Sequence, residues 1–148
     1  MSWYPHTTVA TIVEQNGRFL MVEEKEAGQQ VFNQPAGHLD ANESLFEAAL
    51  RETLEETAWE VELSAYLGTY QYLSAANGIT YIRHCFIAQP HRHDPKRALD
   101  PDIVQTHWLS AKTILADDFQ ARSPIVRKVL EDYLLGQQFP LSAIYSHD

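Results

Sequence analysis

The stretch from residue 37 to residue 59, GHLDANESLFEAALRETLEETAW, places several acidic side chains on one short helix. At about 100° per residue, Glu52, Glu55 and Glu56 fall within roughly 100° of arc on one side of that helix. Like charges four residues apart destabilise a helix by roughly 0.2–0.5 kcal/mol per pair. A hard divalent cation would offset this repulsion, and Mg²⁺ binds both carboxylates and substrate phosphates. The stretch therefore predicts a metal site for phosphate chemistry, with a solvent-exposed acidic face as the alternative.

The same helix also carries a separate apolar face. Phe46, Leu50 and Leu54 fall on an arc from roughly 80° to 180°, together with Thr53 and Thr57. We expect Phe46, Leu50 and Leu54 to anchor the helix to the core, so that the carboxylates face a different direction.

Two residues are candidates for the N-terminal cap of this helix. Asp40 or Asn42 can cap it, and Glu43 stands three residues after Asp40, as in a capping box. Glu43 is therefore either part of the cap or a partner that orients Arg51. The sequence does not decide between these two roles.

The acidic stretch resembles the signature of the Nudix hydrolases. The matching positions are Gly37, Glu43, Arg51, Glu52, Glu55 and Glu56. Two positions depart from the family pattern, because Thr53 replaces an aliphatic residue and Ala58 replaces a glycine. Alanine does not favour the left-handed conformation that ends many helices, so Ala58 puts only the shape of the helix exit in question.

This resemblance implies an α/β protein with the Nudix fold, in which a mixed β-sheet is sandwiched between α-helices in a single domain covering residues 1–148. It also implies a Mg²⁺ cofactor, with Mn²⁺ as a possible substitute. The implied metal ligands are Glu52, Glu55, Glu56 and, through its main chain, Gly37. Arg51 would orient the catalytic carboxylates, and either Glu52 or a loop acid (Asp100 or Asp102) would act as the base.

Segments outside the helix extend the resemblance to a phosphatase branch of the family. These segments are PHTTVA, FNQPAGHL, RSP and GQQFPL. The likeness implies release of orthophosphate from nucleoside di- and triphosphates and from thiamine-pathway pyrophosphates, namely thiamine pyrophosphate and hydroxymethylpyrimidine pyrophosphate. One alternative is a nucleoside triphosphate pyrophosphohydrolase that releases pyrophosphate. A catalytically silent binding module is the other, although such a module would be expected to lose glutamates that this chain keeps.

Three residues are candidates for substrate binding. Arg83 stands among apolar residues of a predicted strand, and a guanidinium suits bidentate contact with phosphate. An outward-facing side chain is the alternative for Arg83. Tyr4 and Phe32 could stack on a substrate ring, with packing at the sheet edge as the alternative.

Turn and cap signals divide the rest of the chain into short elements. An Asn16-Gly17 turn predicts a hairpin, and a second hairpin is predicted around residues 76–78. Predicted strands cover residues 6–15, 18–25, 31–32, 59–73, 79–89 and 103–109, and residues 90–101 are predicted to form a loop. Predicted helices cover residues 111–116 and 124–135, capped by Ser110 and Ser123.

The amino-acid composition limits which binding partners and which cellular compartment are expected for this protein. A net charge of −9 argues against nucleic-acid polymers and anionic membranes, whereas a bound metal can reverse the local sign for a small phosphorylated substrate. Cys85 is the single cysteine, which is compatible with the reducing cytoplasm, and we expect a buried, inert thiol. His91 and His93 are expected at the surface. No interface signature is present, so a monomer is the expected state.

Overall fold

The chain folds around a seven-stranded mixed β-sheet. A computed structural model describes residues 2–147, and no helix in this range is long and apolar enough to cross a membrane. The strands are β1 His6–Gln15, β2 Arg18–Glu26, β3 Gln29–Asn33, β4 Ala36–His38, β5 Trp59–Leu73, β6 Thr80–His93 and β7 Ile103–Ser110. The α-helices are α1 Leu45–Thr57, α2 Ala111–Ile114 and α3 Pro124–Leu134.

The sheet order is β3-β2-β1-β6-β5, with β4 paired to β1 and β7 paired to β2. β1 and β6 run parallel, and the other strand pairs are antiparallel. Both predicted hairpins are present. Thr8 of β1 lies opposite His38 on one side and Arg83 on the other. This register brings β4, which precedes α1, close to the middle of β6.

Helices cover both faces of the sheet, as the family resemblance implies. Ala48 and Ala49 of α1 pack with Val9 in one buried cluster. Val126 and Val129 of α3 belong to a second cluster on the opposite face. Successive side chains of a strand point to opposite faces, so β1 contributes to both clusters. The predicted sandwich is confirmed.

The face of α1 that packs on the sheet agrees only in part with the predicted one, because Thr53 and Thr57 are buried as expected but Leu50 is not. Ala48, Ala49 and Thr53 are buried, whereas Leu50 is 39% exposed. Small side chains let the helix lie close to the sheet, and Thr53 Oγ1 is 2.8 Å from Thr11 Oγ1. Leu50 was therefore wrongly assigned to the core, because the prediction weighed apolarity and not size. The other two predicted anchors, Phe46 and Leu54, are half-buried.

Both ends of α1 differ in detail from the sequence interpretation. Ser44, and not Asp40 or Asn42, is the N-cap, and its side chain and that of Glu47 form a reciprocal capping box. At the other end, Ala58 adopts the left-handed conformation that a glycine would favour, with φ 63° and ψ 17°. The departure at Ala58 thus leaves the usual helix exit in place.

Two strand boundaries were misjudged. β6 continues through Pro90 to His93, where the sequence predicted a loop. Pro90 cannot donate to the sheet, and it sits opposite Val61 beside a register shift in β5. No strand was predicted for residues 36–38, although these three residues form β4 and pair with β1.

Candidate metal and substrate site

Three carboxylates meet at the C-terminal half of α1. Glu52, Glu55 and Asp100 each present an oxygen, and these oxygens lie within 4.8 Å of one another. The helical spacing places the two glutamates on one side of α1. Asp100 comes from the loop before β7, and its backbone N–H donates to the carbonyl of Glu55 at 3.0 Å. Such a set of hard oxygen donors fits a divalent cation, the ion type that Nudix hydrolases generally use.

Arg51 holds the neighbouring carboxylates in place. Its Nη1 donates to Oε1 of Glu52 at 2.6 Å and to Oε1 of Glu55 at 3.0 Å. Its Nε and Nη2 donate to the two oxygens of Glu43 at 3.0 and 2.7 Å. The guanidinium therefore lies between Glu43 on one side and Glu52 and Glu55 on the other.

Glu43 fills one of the two roles that the sequence left open, as the partner of Arg51, because the helix cap is formed by Ser44 and Glu47. It is bonded to Arg51, and Oε1 also accepts a hydrogen bond from the Asp40 backbone N–H at 2.8 Å. The hydrogen bond from Arg51 lowers the pKa of Glu43, and the same bond raises the pKa of Arg51. Glu43 is therefore ionised, and its hydrogen bonds hold the Arg51 guanidinium that positions the carboxylates of Glu52 and Glu55.

Gly37 lies directly against the Glu52 carboxylate. A Cβ at position 37 would be 1.9 Å from Oε2 of Glu52, which no side chain could tolerate without displacing that carboxylate. The short strand β4 brings Gly37 to this position through its pairing with Val9. Burial raises the pKa of Glu52. A cation at the cluster would favour the ionised form again.

Glu56 lies deeper than the other helix carboxylates. Its Oε1 accepts a hydrogen bond from the Ala36 backbone N–H at 2.9 Å. Burial, helped by the negative charges of Glu24 and Glu52, raises the pKa of Glu56 to about 9. The sequence grouped Glu56 with Glu52 and Glu55, whereas the structure groups Asp100 with them and leaves Glu56 beside the group.

A cavity of about 640 Å³ opens beside these carboxylates. Glu52, Glu56 and Gly37 line it on the α1 side, and the loop acids Asp100 and Asp102 also reach it. Burial raises the pKa of Asp100, and the nearby charges of Glu55 and Asp102 act in the same direction. The volume is in the range of ordinary small-molecule sites.

Arg83 lines the same cavity and is 3% exposed, so the outward-facing alternative is wrong. Its guanidinium donates to the side-chain oxygens of Gln34 at 3.1 Å and Asn33 at 2.9 Å. Gln34 is itself fixed by a 2.9 Å bond to the carbonyl of Val126. Within residues 2–147 no carboxylate forms an ion pair with Arg83. A buried cation without a counter-ion is costly, so an anion in the cavity would stabilise it.

Two further charged residues of the cavity were missed in the sequence. Arg122 Nη1 donates to Oε2 of Glu24 at 2.6 Å, and both side chains line the cavity. Oε1 of Glu24 is buried and has no hydrogen-bond partner within residues 2–147. The consecutive glutamates Glu23 and Glu24 directly after the apolar run FLMV were the available signal, because neighbouring strand residues face opposite sides of the sheet and one of them had to face inward.

Tyr4 and Phe32 do not reach the cavity. Phe32 packs on Phe119 with ring centroids 5.1 Å apart, and Tyr4 is 70% exposed and stacks on His6. The aromatic residues that do line the cavity are His38, Tyr72 and Tyr81. Alternation along β6 could have identified Tyr81, because it lies two residues before Arg83 and so shares its face.

The remaining expectations about isolated groups are confirmed. Cys85 is completely buried, and burial raises the pKa of its thiol to about 12, which keeps it protonated and inert. His91 and His93 are exposed at the end of β6.

The fold and the acid-lined cavity belong to the Nudix hydrolases. The model of the NUDIX domain matches residues 4–129, so the chain is a member of this family and hydrolyses phosphoanhydrides. Phosphatase NudJ from Escherichia coli K12 is 39% identical over 140 residues, which is 95% of this chain and 90% of that protein.

Solved structures agree with this assignment. A NUDIX hydrolase from Nitrosomonas europaea superposes with a TM-score of 0.93 at 39% identity, over 97% of this chain and 98% of that one. A MutT NUDIX hydrolase from Burkholderia pseudomallei gives a TM-score of 0.74 at 23% identity, over 88% of this chain and 98% of that one. The second likeness supports the fold alone.

Proposed function

We propose that this protein is a Mg²⁺-dependent phosphatase of nucleoside di- and triphosphates and thiamine-pathway pyrophosphates that releases orthophosphate. The observation that carries the proposal is a single cavity lined both by Glu52 and Asp100 of the carboxylate cluster and by the buried Arg83, with which no carboxylate in residues 2–147 forms an ion pair. A diphosphate supplies negative charge for the buried arginine and for the cation that the carboxylates would hold. The similarity of this chain to Phosphatase NudJ supports orthophosphate as the product.

The oxygen donors favour Mg²⁺, and Mn²⁺ can substitute because it accepts the same ligand type. Glu52, Glu55 and Asp100 would hold the ion, with Glu56 and the main chain of Gly37 beside it. When bound, a divalent cation neutralises the diphosphate and lowers the pKa of a bound water. No covalent intermediate with the enzyme is required.

The chain's own residues orient and anchor the substrate. Arg51 holds Oε1 of Glu52 and of Glu55 and leaves the second oxygen of each carboxylate for other partners. Arg83 presents a guanidinium that suits bidentate contact with phosphate. Glu52 is the candidate base for the attacking water, and Asp102 at the cavity wall is the alternative.

The proposal includes a monomeric enzyme in the cytoplasm that acts on small phosphorylated molecules, with neither nucleic-acid polymers nor membranes as partners. A net charge of −9 and a single cysteine support this part. Sedimentation equilibrium tests the monomer, and a mass twice that of the 16.9 kDa chain would contradict it.

A product-release screen tests the activity. Purified protein is incubated with Mg²⁺ and a panel of nucleoside diphosphates, nucleoside triphosphates, thiamine pyrophosphate and hydroxymethylpyrimidine pyrophosphate. Orthophosphate and pyrophosphate are then assayed separately. Orthophosphate that appears without pyrophosphate and disappears with chelator is the expected result. Pyrophosphate from triphosphates would favour the pyrophosphohydrolase, and a lack of turnover on every substrate would favour a silent binding module.

A further inference from the structure

Three aromatic rings of the cavity take no part in the proposed chemistry. They belong to His38, Tyr72 and Tyr81. Tyr81 precedes Arg83 by two residues on β6, so the two side chains leave the same face of the sheet about 6.6 Å apart along the strand. Tyr72 of β5 lies directly opposite Tyr81. Tyr72 and Tyr81 therefore lie in a row of side chains beside Arg83, whereas His38 lies in the same row as Arg83, on the other side of Thr8.

The rings are held in place by mutual contacts. The Tyr72 and Tyr81 rings stack with centroids 5.3 Å apart and planes 21° from parallel. The His38 ring meets Tyr81 edge-on at 6.2 Å, and its Nε2 is 3.1 Å from Nδ1 of His6. Asn77 donates to the Tyr81 hydroxyl at 3.0 Å. A wall that is already ordered costs little further entropy when a ligand binds.

Core packing does not account for these rings. Tyr72 and Tyr81 are only half-buried, and His38 is exposed. Among residues 2–147 neither tyrosine belongs to a buried hydrophobic cluster. Their partly exposed surfaces instead border the space that Arg83 reaches.

We propose that His38, Tyr72 and Tyr81 form the subsite for the heteroaromatic ring of the substrate. The phosphates of the substrate would then lie between Arg83 and the carboxylates of Glu52, Glu55 and Asp100. This inference rests on the proposed function and names the part of the molecule that such a site recognises. Stacking tolerates differences between rings because every base has a π-face. A stacking wall therefore accommodates purines, pyrimidines and the hydroxymethylpyrimidine ring in one cavity.

Substitution of Tyr81 tests the subsite through a comparison of two substrates. ADP carries a ring, and methyl diphosphate carries the same reacting bond without one. Stacking on an aromatic side chain contributes roughly 1–3 kcal/mol, so Tyr81→Leu should raise KM for ADP about tenfold. KM for methyl diphosphate and kcat for ADP should change less than about twofold, because Tyr81 touches neither phosphate nor metal in this account.

Matched variants separate stacking from damage to the fold. Tyr81→Phe keeps the ring and should retain the wild-type KM for ADP, and Tyr72→Leu should repeat the effect of Tyr81→Leu from the neighbouring strand. Tyr145→Leu is the control, because Tyr145 is 81% exposed and does not line the cavity. An equal rise in KM for both substrates in the leucine variants, or no rise for either, would overturn the subsite.

A binding measurement keeps this test separate from that of the activity. Calorimetric titration with AMP and with methyl phosphate needs no turnover, so it applies even if the release screen finds no substrate. AMP should bind the wild type and lose about tenfold in affinity in Tyr81→Leu. AMP that binds both proteins equally, or binds neither, would contradict the ring subsite whatever the enzyme hydrolyses.

Discussion

The two sides of the cavity are built in opposite ways. We call Glu43, Arg51, Glu52 and Glu55 the α1 wall, of which Glu52 lines the cavity, and the side-chain hydrogen bonds among these four join residues one to eight positions apart. The sheet wall consists of Arg83 and Arg122, whose side-chain bonds span 49 to 98 positions. The first wall is set by helical spacing, whereas the second exists only once β2, β3 and β6 have assembled.

The two walls also handle charge differently. On the α1 wall one arginine joins three carboxylates, and the remaining negative charge suits a cation. On the sheet wall the Arg83 charge is held by two neutral amide oxygens and keeps its attraction for an anion. This difference in charge indicates that the α1 wall is suited to a metal ion and the sheet wall to the phosphates of the substrate.

Glu52→Gln should have the largest effect. It removes the negative charge of a carboxylate that lies beside those of Glu55 and Asp100 and that Arg51 holds by a hydrogen bond. We therefore expect kcat to fall by roughly 10²–10⁴-fold. Steady-state kinetics with saturating Mg²⁺ measures this. Glu131→Gln is the control, since it removes an exposed charge from α3. Near-wild-type turnover by Glu52→Gln would break the assignment of chemistry to the α1 wall.

Arg83→Gln should weaken substrate binding and leave the metal in place. Loss of a buried partner of a charged group costs roughly 2–5 kcal/mol, so KM for a diphosphate should rise about 100-fold. Mg²⁺ affinity, measured by calorimetry, should stay within about twofold. The exposed Arg92 supplies the control Arg92→Gln. A loss of Mg²⁺ affinity in Arg83→Gln, with KM unchanged, would contradict the division between the walls.

Gly37→Ala should disturb the α1 wall without changing its charge. The added methyl would lie 1.9 Å from Oε2 of Glu52, so the carboxylate must move. Changes that misplace a metal ligand weaken metal binding by roughly 10–100-fold, and we expect about tenfold here. Mg²⁺ titration of turnover gives the value, and a circular dichroism melt checks the fold. An unchanged Mg²⁺ dependence would show that the close contact has no role.

The metal-free protein should lose stability as pH rises. Glu56 has a pKa of about 9 in the fold and about 4.5 when unfolded, so the folded protein holds a proton that the unfolded chain releases. This stability is fully present below about pH 4.5 and is lost as pH rises towards 9. In chelator, Tm should fall by several degrees between pH 6 and pH 9. Glu56→Gln keeps an acceptor for Ala36 without the titration, so it should flatten the trend. An equally steep trend in Glu56→Gln would contradict the role of Glu56.

The sequence predicted the α1 wall well because its information is local. The spacing of Glu52 and Glu55 fixes their common side once a helix forms. Asp100 was not grouped with these glutamates, because it reaches them from a loop more than forty positions away. Leu50 was misplaced because the sheet demanded small side chains where the arc suggested large ones.

The sheet wall could be predicted only in part. Arg83 stood out as a charge in an apolar strand, but its partners Asn33 and Gln34 lie about fifty positions away and left no local pattern. Tyr4 and Phe32 were chosen as aromatic side chains that could stack on a substrate ring, whereas strand pairing brings Tyr72 and Tyr81 to the cavity. Pairing between strands that are distant in sequence therefore determines which residues form the substrate-facing wall of the cavity.

Calorimetric titration of Asp100→Asn with Mg²⁺ tests the central claim most directly, because Asp100 joins the α1 glutamates only through the fold. We predict that Asp100→Asn weakens Mg²⁺ binding about tenfold or more, while Asp118→Asn, an exposed control, binds as the wild type does. Identical isotherms for Asp100→Asn and the wild type would contradict a metal site formed by Glu52, Glu55 and Asp100.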